Sequence, residues 1–217
     1  MIVVIQCAAT KQPNAGHLRT DDGRRVMFVA QPSMAPPATG VHYARPDDLS
    51  GAGSSWRERL MRYNADPQGD PLGLLPAISL YTHPTYRRLA EAIDPNRLFI
   101  LSAGWGLLPA SYLTPNYDIT FSPMAEPYKR RRRADRYQDF AILPDNVDEP
   151  MVFFGGKDYV QLFASLTRTH RGPRTVFYNS QLPPNASGCR LERFATTTRT
   201  NWHYECAGGW LAQLRSC

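Results

Sequence analysis

Four short runs of apolar or β-branched residues constrain this chain most. Residues 1–6 (MIVVIQ), 98–101 (LFIL), 151–154 (MVFF) and 175–178 (TVFY) lack the polar alternation of a strand with one wet face. Each therefore calls for cover on both sides, as strands of a parallel sheet receive from flanking helices. Helical patterns fall between them. Residues 56–64 follow Ser54 and Ser55, either of which can cap, and place Trp56, Leu60 and Tyr63 on one face, with the arginines expected to meet water or an anion. A second helix is expected from Thr82 or His83, with Pro84 in its first turn and a stop at Asp94-Pro95. Further helices are expected at residues 130–140, at 159–166, where Val160, Phe163 and Ala164 are spaced for burial, and at 201–214. The resulting class is α/β, a single domain over residues 1–217 with a mostly parallel central sheet flanked by helices. Residues 12–55 are rich in Pro, Gly, Asp and Ser, so they read as a loop-rich insertion, with residues 26–30 as an additional strand.

Bulk properties exclude some functions. No apolar stretch is long enough to span a membrane, and no basic leader precedes the first apolar run, so a cytoplasmic protein without membrane contact is expected. Cys7, Cys189, Cys206 and Cys217 are widely spaced without a Cys-x-x-Cys pair, which favours free thiols. His203 and Cys206 stand three apart, but a zinc site needs more ligands at recognisable spacing, and no metal or other cofactor is assigned. The net charge of +6 favours an anionic partner. Its clearest source is Lys129-Arg130-Arg131-Arg132-Arg133, flanked by Tyr128 and Tyr137; such a run is either solvated or set against phosphate.

In open α/β sheets ligands bind beyond the carboxyl ends of the strands. That rule selects Gln6, Cys7 and Lys11 after the first run, Ser102 to Gly106 after the second, Gly155-Gly156-Lys157 after the third, and Asn179-Ser180 after the fourth. The small residues Ser102-Ala103-Gly104 admit either a ligand or another backbone. The double glycine has neither Walker nor dinucleotide spacing, and supports only a generic phosphate nest. A serine-hydrolase elbow is absent.

Three segments resemble a known family: "VVIQCAATK", "SLYTHPTYRRLAEA" and "LFILSAGWGLLPASYLTPNYDITF". They are similar to uncharacterised bacterial and phage domains with a Cys-Lys strand end, a Tyr-Thr helix opening, a Leu-Ser-Ala-x-x-Gly-Leu core and a Tyr-Asp ending. That family resembles, at a distance, YaaA-like peroxide-stress and DNA-binding proteins and uracil-DNA-glycosylase-like folds. Trp105 and Asn116 depart from its pattern, and the glycosylase motifs Gly-Gln-Asp-Pro-Tyr-His and His-Pro-Ser-Pro are absent. The resemblance implies a uracil-DNA-glycosylase-like fold and nucleobase chemistry on DNA. It extends to removal of modified cytosines, such as glucosylated hydroxymethylcytosine, from phage DNA in antiviral defence.

N-glycosidic cleavage builds positive charge on the sugar and negative charge on the departing base, so it needs a carboxylate at one and donors at the other. Asp118 is the expected carboxylate. Trp105 and Tyr117 are expected to hold an extruded base, with Ser102, Asn179, Asn201 and His203 at its edge and Gln6 and Cys7 in the same pocket. Lys11, Lys129, Arg130, Arg131, Arg132, Arg133 and Lys157 are expected on phosphate, with single- or double-stranded DNA as partner and no obligate protein partner. A water-using reaction needs only the acid, whereas a lysine nucleophile would add strand cleavage. Two other readings use the same residues: a base-exchange or nucleotide N-glycoside hydrolase acting on RNA or small molecules, and a noncatalytic DNA-binding module.

Overall fold

Strand β1 (Ile2–Gln6) is buried through Ile5 and lies at the centre of the principal sheet, as its unbroken β-branched run demands. The computed structural model describes residues 1–51, 53–144 and 147–214. The remaining elements, in chain order, are β2 (Arg25–Val29), β3 (Val41–Ala44), α1 (Trp56–Ala65), β4 (Leu75–Pro76), α2 (Pro84–Ala92), β5 (Leu98–Ser102), β6 (Gly106–Pro109), β7 (Leu113–Thr114), β8 (Tyr117–Asp118), β9 (Phe140–Ala141), β10 (Met151–Phe154), α3 (Lys157–Leu166), β11 (Arg174–Tyr178), β12 (Arg190–Arg193) and α4 (Trp202–Leu214). Seven strands form the main sheet in the order β12-β11-β10-β1-β5-β6-β9, parallel throughout except for the β5–β6 pair. The fold is thus α/β with a mostly parallel central sheet. No described helix is long and apolar enough to cross a membrane.

Adjacent side chains on β10 show how both faces are covered. Phe153 stacks on Phe163 of α3 at 4.6 Å between centroids, while Phe154 meets Trp210 of α4 at 5.4 Å. Successive strand residues point to opposite faces, so α3 and α4 cover opposite sides of the sheet. Helix α2 packs against α4, where Tyr86 meets Tyr204 edge to face at 5.8 Å. Helix α1 opens with a capping box: Glu58 N–H donates to the Ser55 hydroxyl, and Ser55 N–H donates back to the Glu58 carboxylate at 2.6 Å. His83 caps α2, with Pro84 at the first helical position.

Three local expectations require correction. Residues 130–140 are not helical: the Arg132 N–H donates to the Asp135 carboxylate at 2.8 Å, making a local turn, and Phe140 enters β9. Arg57 of α1 faces neither water nor an anion from solution. It is 4% exposed and donates to Trp105 O at 2.9 Å, Gly104 O at 3.1 Å and the Asp47 carboxylate at 2.5 Å. The second apolar run does not lead into an open ligand loop, because Ala103-Gly104-Trp105 turn it back as the antiparallel strand β6. The glycines there admit protein rather than ligand. A side chain on Gly106 (φ +92°) would strike Phe140 O at 2.4 Å, and one on Gly104 would press on Ile119 and Tyr117 at 3.2 and 3.3 Å.

Residues 12–55 contribute β2 and β3 to a second sheet, order β3-β2-β8, whose strands are all parallel. In it Phe28 pairs with Tyr117 and Val29 with Asp118. This pairing fixes the backbone of Asp118 beside the carboxyl end of β1.

Candidate functional site

The strand order reverses at β1: β5 lies on one side and β10 on the other. Beyond the carboxyl ends of these strands opens a cleft of about 590 Å³, lined by Gln6, Cys7, Lys11, Asp118, Lys129, Gly156, Tyr159, Asn201 and Tyr204 among others. This is where an open parallel sheet is expected to hold a ligand. The Gly156 N–H donates to Gln6 Oε1 at 2.6 Å, tying the ends of β1 and β10 together; that N–H is therefore already used, and a phosphate nest would have to displace Gln6.

Charge is concentrated on one wall. Asp118 is 38% exposed and pairs with Lys129 Nζ at 2.8 Å, while the same ammonium reaches Glu126 at 2.6 Å. Hydrogen bonding to Asp118, then to Glu126, raises the Lys129 pKa and keeps the ammonium charged. The Lys11 ammonium lies 4.3 Å from the Tyr117 ring centroid and donates to Ala9 O at 3.2 Å and, more weakly, to Ala8 O at 3.4 Å. Burial lowers its pKa, Cys7 and Asp118 oppose that shift, and Lys129 adds to it.

A buried network of hydroxyls adjoins Gln6 and Cys7. Cys7 Sγ lies 3.2 Å from the Tyr159 hydroxyl, Tyr81 and Tyr117 hydroxyls are 2.8 Å apart, and the Ser102 hydroxyl donates to Tyr117 at 2.9 Å. The Tyr86 hydroxyl donates to Gln6 O at 2.7 Å and lies 3.3 Å from that of Tyr204. Burial raises the pKa of Tyr81, Tyr86, Tyr117 and Tyr159 well above the usual phenol range, so these groups remain protonated.

Of the residues singled out from sequence, the cleft gathers Gln6, Cys7, Lys11, Asp118, Lys129 and Asn201. Others go elsewhere. Trp105 is completely buried, edge-on to Phe28 at 4.8 Å and stacked on Phe140 at 6.5 Å, so its faces are occupied by the core. Tyr117 is 1% exposed, and Ser102, fully buried, accepts hydrogen bonds from the N–H groups of Gly104 and Trp105 as a turn residue. His203 lies buried behind Tyr204, its ring 4.1 Å away, and burial depresses its pKa to about 4. Asn179 donates to Thr198 O, and Lys157 is exposed at the start of α3; neither lines the cleft. Among the described residues no group of three or more His, Cys, Asp or Glu is placed to hold a metal, and Cys217 lies outside them.

The basic run divides. Arg131 is 6% exposed and binds the Asp139 carboxylate through two nitrogens at 2.8 and 2.6 Å and Ala103 O at 2.8 Å, so it holds the β5–β6 turn and is not available to phosphate. Arg130, Arg132 and Arg133 line a groove of about 290 Å³ that shares Pro123 and Asp158 with the main cleft. Sequence reasoning missed Tyr159 and Tyr204, which line the cleft although mostly buried, Tyr204 being stacked on His83 at 3.7 Å. For Tyr159 the available signal was a tyrosine in the first turn of a helix that follows a buried strand.

No curated protein and no solved structure matches the chain. A family model described as "Family of unknown function (DUF6884)" matches residues 73–177, a span that contains Asp118, Lys129, the arginine run and Tyr159 and leaves out Lys11 and Tyr204.

Proposed function

We propose that the protein is a DNA glycosylase that hydrolyses the N-glycosidic bond of a modified nucleobase and leaves an abasic site, on a sheet arranged in the uracil-DNA-glycosylase manner. The observation that carries this reading is the position of Asp118: a carboxylate held by strand pairing on the wall of a nucleoside-sized cleft, beside an arginine-lined groove. The groove takes the phosphate backbone, and the extruded nucleotide enters the cleft. Asp118 faces the sugar, where its charge stabilises the oxocarbenium-like transition state and orients water. Tyr159 and Tyr204 border the base through the parts of their side chains that line the cleft, and Asn201 offers an amide to its edge. Glucosylated hydroxymethylcytosine of phage DNA, in antiviral defence, is the substrate to which the size of the cleft and the resemblance of residues 2–11 and 79–121 lend support.

The test is incubation of the purified protein with plain, uracil-containing, hydroxymethylated and glucosylated duplexes, followed by detection of free base and alkali-labile sites. Release is expected from one modified duplex, and Asp118→Asn is expected to reduce it by about 10²–10³-fold. Absence of release from all four, or full activity in Asp118→Asn, rejects the proposal. Transfer of a labelled free base into the strand would instead indicate base exchange. Salt-sensitive binding that survives Asp118→Asn, with intact DNA recovered, would indicate a binding module.

A further inference from the structure

Lys11 stands apart from the other cleft lysine. Lys129 is neutralised by two carboxylates, whereas Lys11, among the described residues, makes no ion pair within 4 Å and donates only to carbonyls. Its backbone is pinned by a β-bridge to Tyr81, with the Gln12 N–H donating to Leu80 O at 2.9 Å, so the amine does not sit on a free loop. Lys11 and Asp118 also share the wall between the main cleft and an adjoining cavity of about 260 Å³, so amine and carboxylate border the same space.

We infer that Lys11 is a nucleophile giving the protein a second activity, strand cleavage at the abasic site. The step takes the product of base excision as its substrate and so rests on the proposed function. Once the base has left, the abasic sugar opens to its aldehyde. The neutral Lys11 amine attacks C1′, and with one proton taken up from solvent the carbonyl oxygen departs as water and a protonated imine forms. That imine acidifies C2′: its proton passes to solvent, the electron pair forms the C2′–C3′ double bond, and the C3′–O bond breaks with the 3′-phosphate as leaving group. Water then hydrolyses the imine and frees Lys11. The burial that lowers the Lys11 pKa enlarges the fraction of neutral amine, with Cys7, Asp118 and Lys129 as the titratable neighbours that face it.

The experiment uses a duplex carrying a preformed abasic site, which removes base recognition from the question. Incubation of the full chain with this duplex and sodium borohydride is expected to give a covalent adduct, mapped by mass spectrometry to Lys11, and without borohydride a cleaved strand. Lys11→Gln and Lys11→Arg are expected to abolish both while keeping the wild-type melting temperature. Absence of an adduct, or its mapping to Lys129 or the N-terminal amine, overturns the inference, and mapping on the wild-type chain decides this even if a variant fails to fold. Base release without an adduct removes this step alone, whereas an adduct without base release removes the glycosylase reading alone.

Discussion

Replacing Arg131 by Met separates a structural arginine from its exposed neighbours in the basic run. The guanidinium makes two bonds to Asp139 and one to Ala103 O, and lies 3.9 Å from the Tyr137 ring centroid; Arg131 and Asp139 are 6% and 7% exposed. Removing one member of a buried pair leaves the other charge without compensation, which costs about 3–5 kcal/mol. The same change opens the β5–β6 turn, since Ala103 O loses its donor. At about 1.4 kcal/mol per tenfold, the folded-to-unfolded ratio of Arg131→Met is expected to fall by roughly 10²–10³·⁵. Urea unfolding with linear extrapolation measures it. Arg131→Met/Asp139→Leu, which removes both charges, is expected to recover much of the loss. Arg132→Met, on an exposed side chain, should stay within about 0.5 kcal/mol of wild type. Wild-type stability in Arg131→Met together with weakened DNA binding would refute the buried-pair argument and restore Arg131 to phosphate.

Three further outcomes follow from the same geometry. The depressed pKa of His203, about 4 against an ordinary 6.5, means that the unfolded chain binds more protons between those values; stability is therefore expected to fall by up to about 3 kcal/mol as pH drops from roughly 6.5 to 4, and unfolding curves of His203→Phe across that window should show a smaller slope. Gly106→Ala forces a side chain into φ +92° and onto Phe140 O, so a loss of about 2 kcal/mol or more is expected in thermal melts, with separation of β6 from β9. Arg132→Gln and Arg133→Gln, each removing one groove cation, are expected to lower the slope of log K against log salt by about one apiece in fluorescence titrations with duplex DNA.

The parallel core was legible because its signal is local and redundant. Ile2 to Ile5 can be buried on both faces only inside a sheet, and Pro84 after His83 marks a helix start whatever surrounds it. The strand-end rule then found Gln6, Cys7 and Lys11 without tertiary information. Residues whose fate depends on distant partners were not legible. Arg131 and Arg132 are neighbours of one type, and only the position of Asp139 and Ala103 decides that the first is buried. Trp105 and Tyr159 are both aromatic residues close to strand ends; which of them reaches the cleft depends on the direction of the β5–β6 turn and on Phe28, distant in sequence on β2. The two-residue strand β8 carries no periodicity of its own, and although residues 26–30 read as a strand, nothing local to either segment pairs β2 with β8.

The cleft draws its walls from residues 6–11, 118–129, 156–159 and 201–204, so it is assembled from segments released by the ribosome at widely different moments. At about 5–20 residues per second, several seconds separate synthesis of Asp118 from that of Tyr204. During that interval the nascent chain can already hold β1, β5 and the strand pair bearing Asp118, yet the wall supplied by α4 has not been made. The cleft is thereby completed only in the final stretch of translation, and a polypeptide truncated before Trp202 would carry Asp118 and Tyr159 without the wall that Tyr204 supplies.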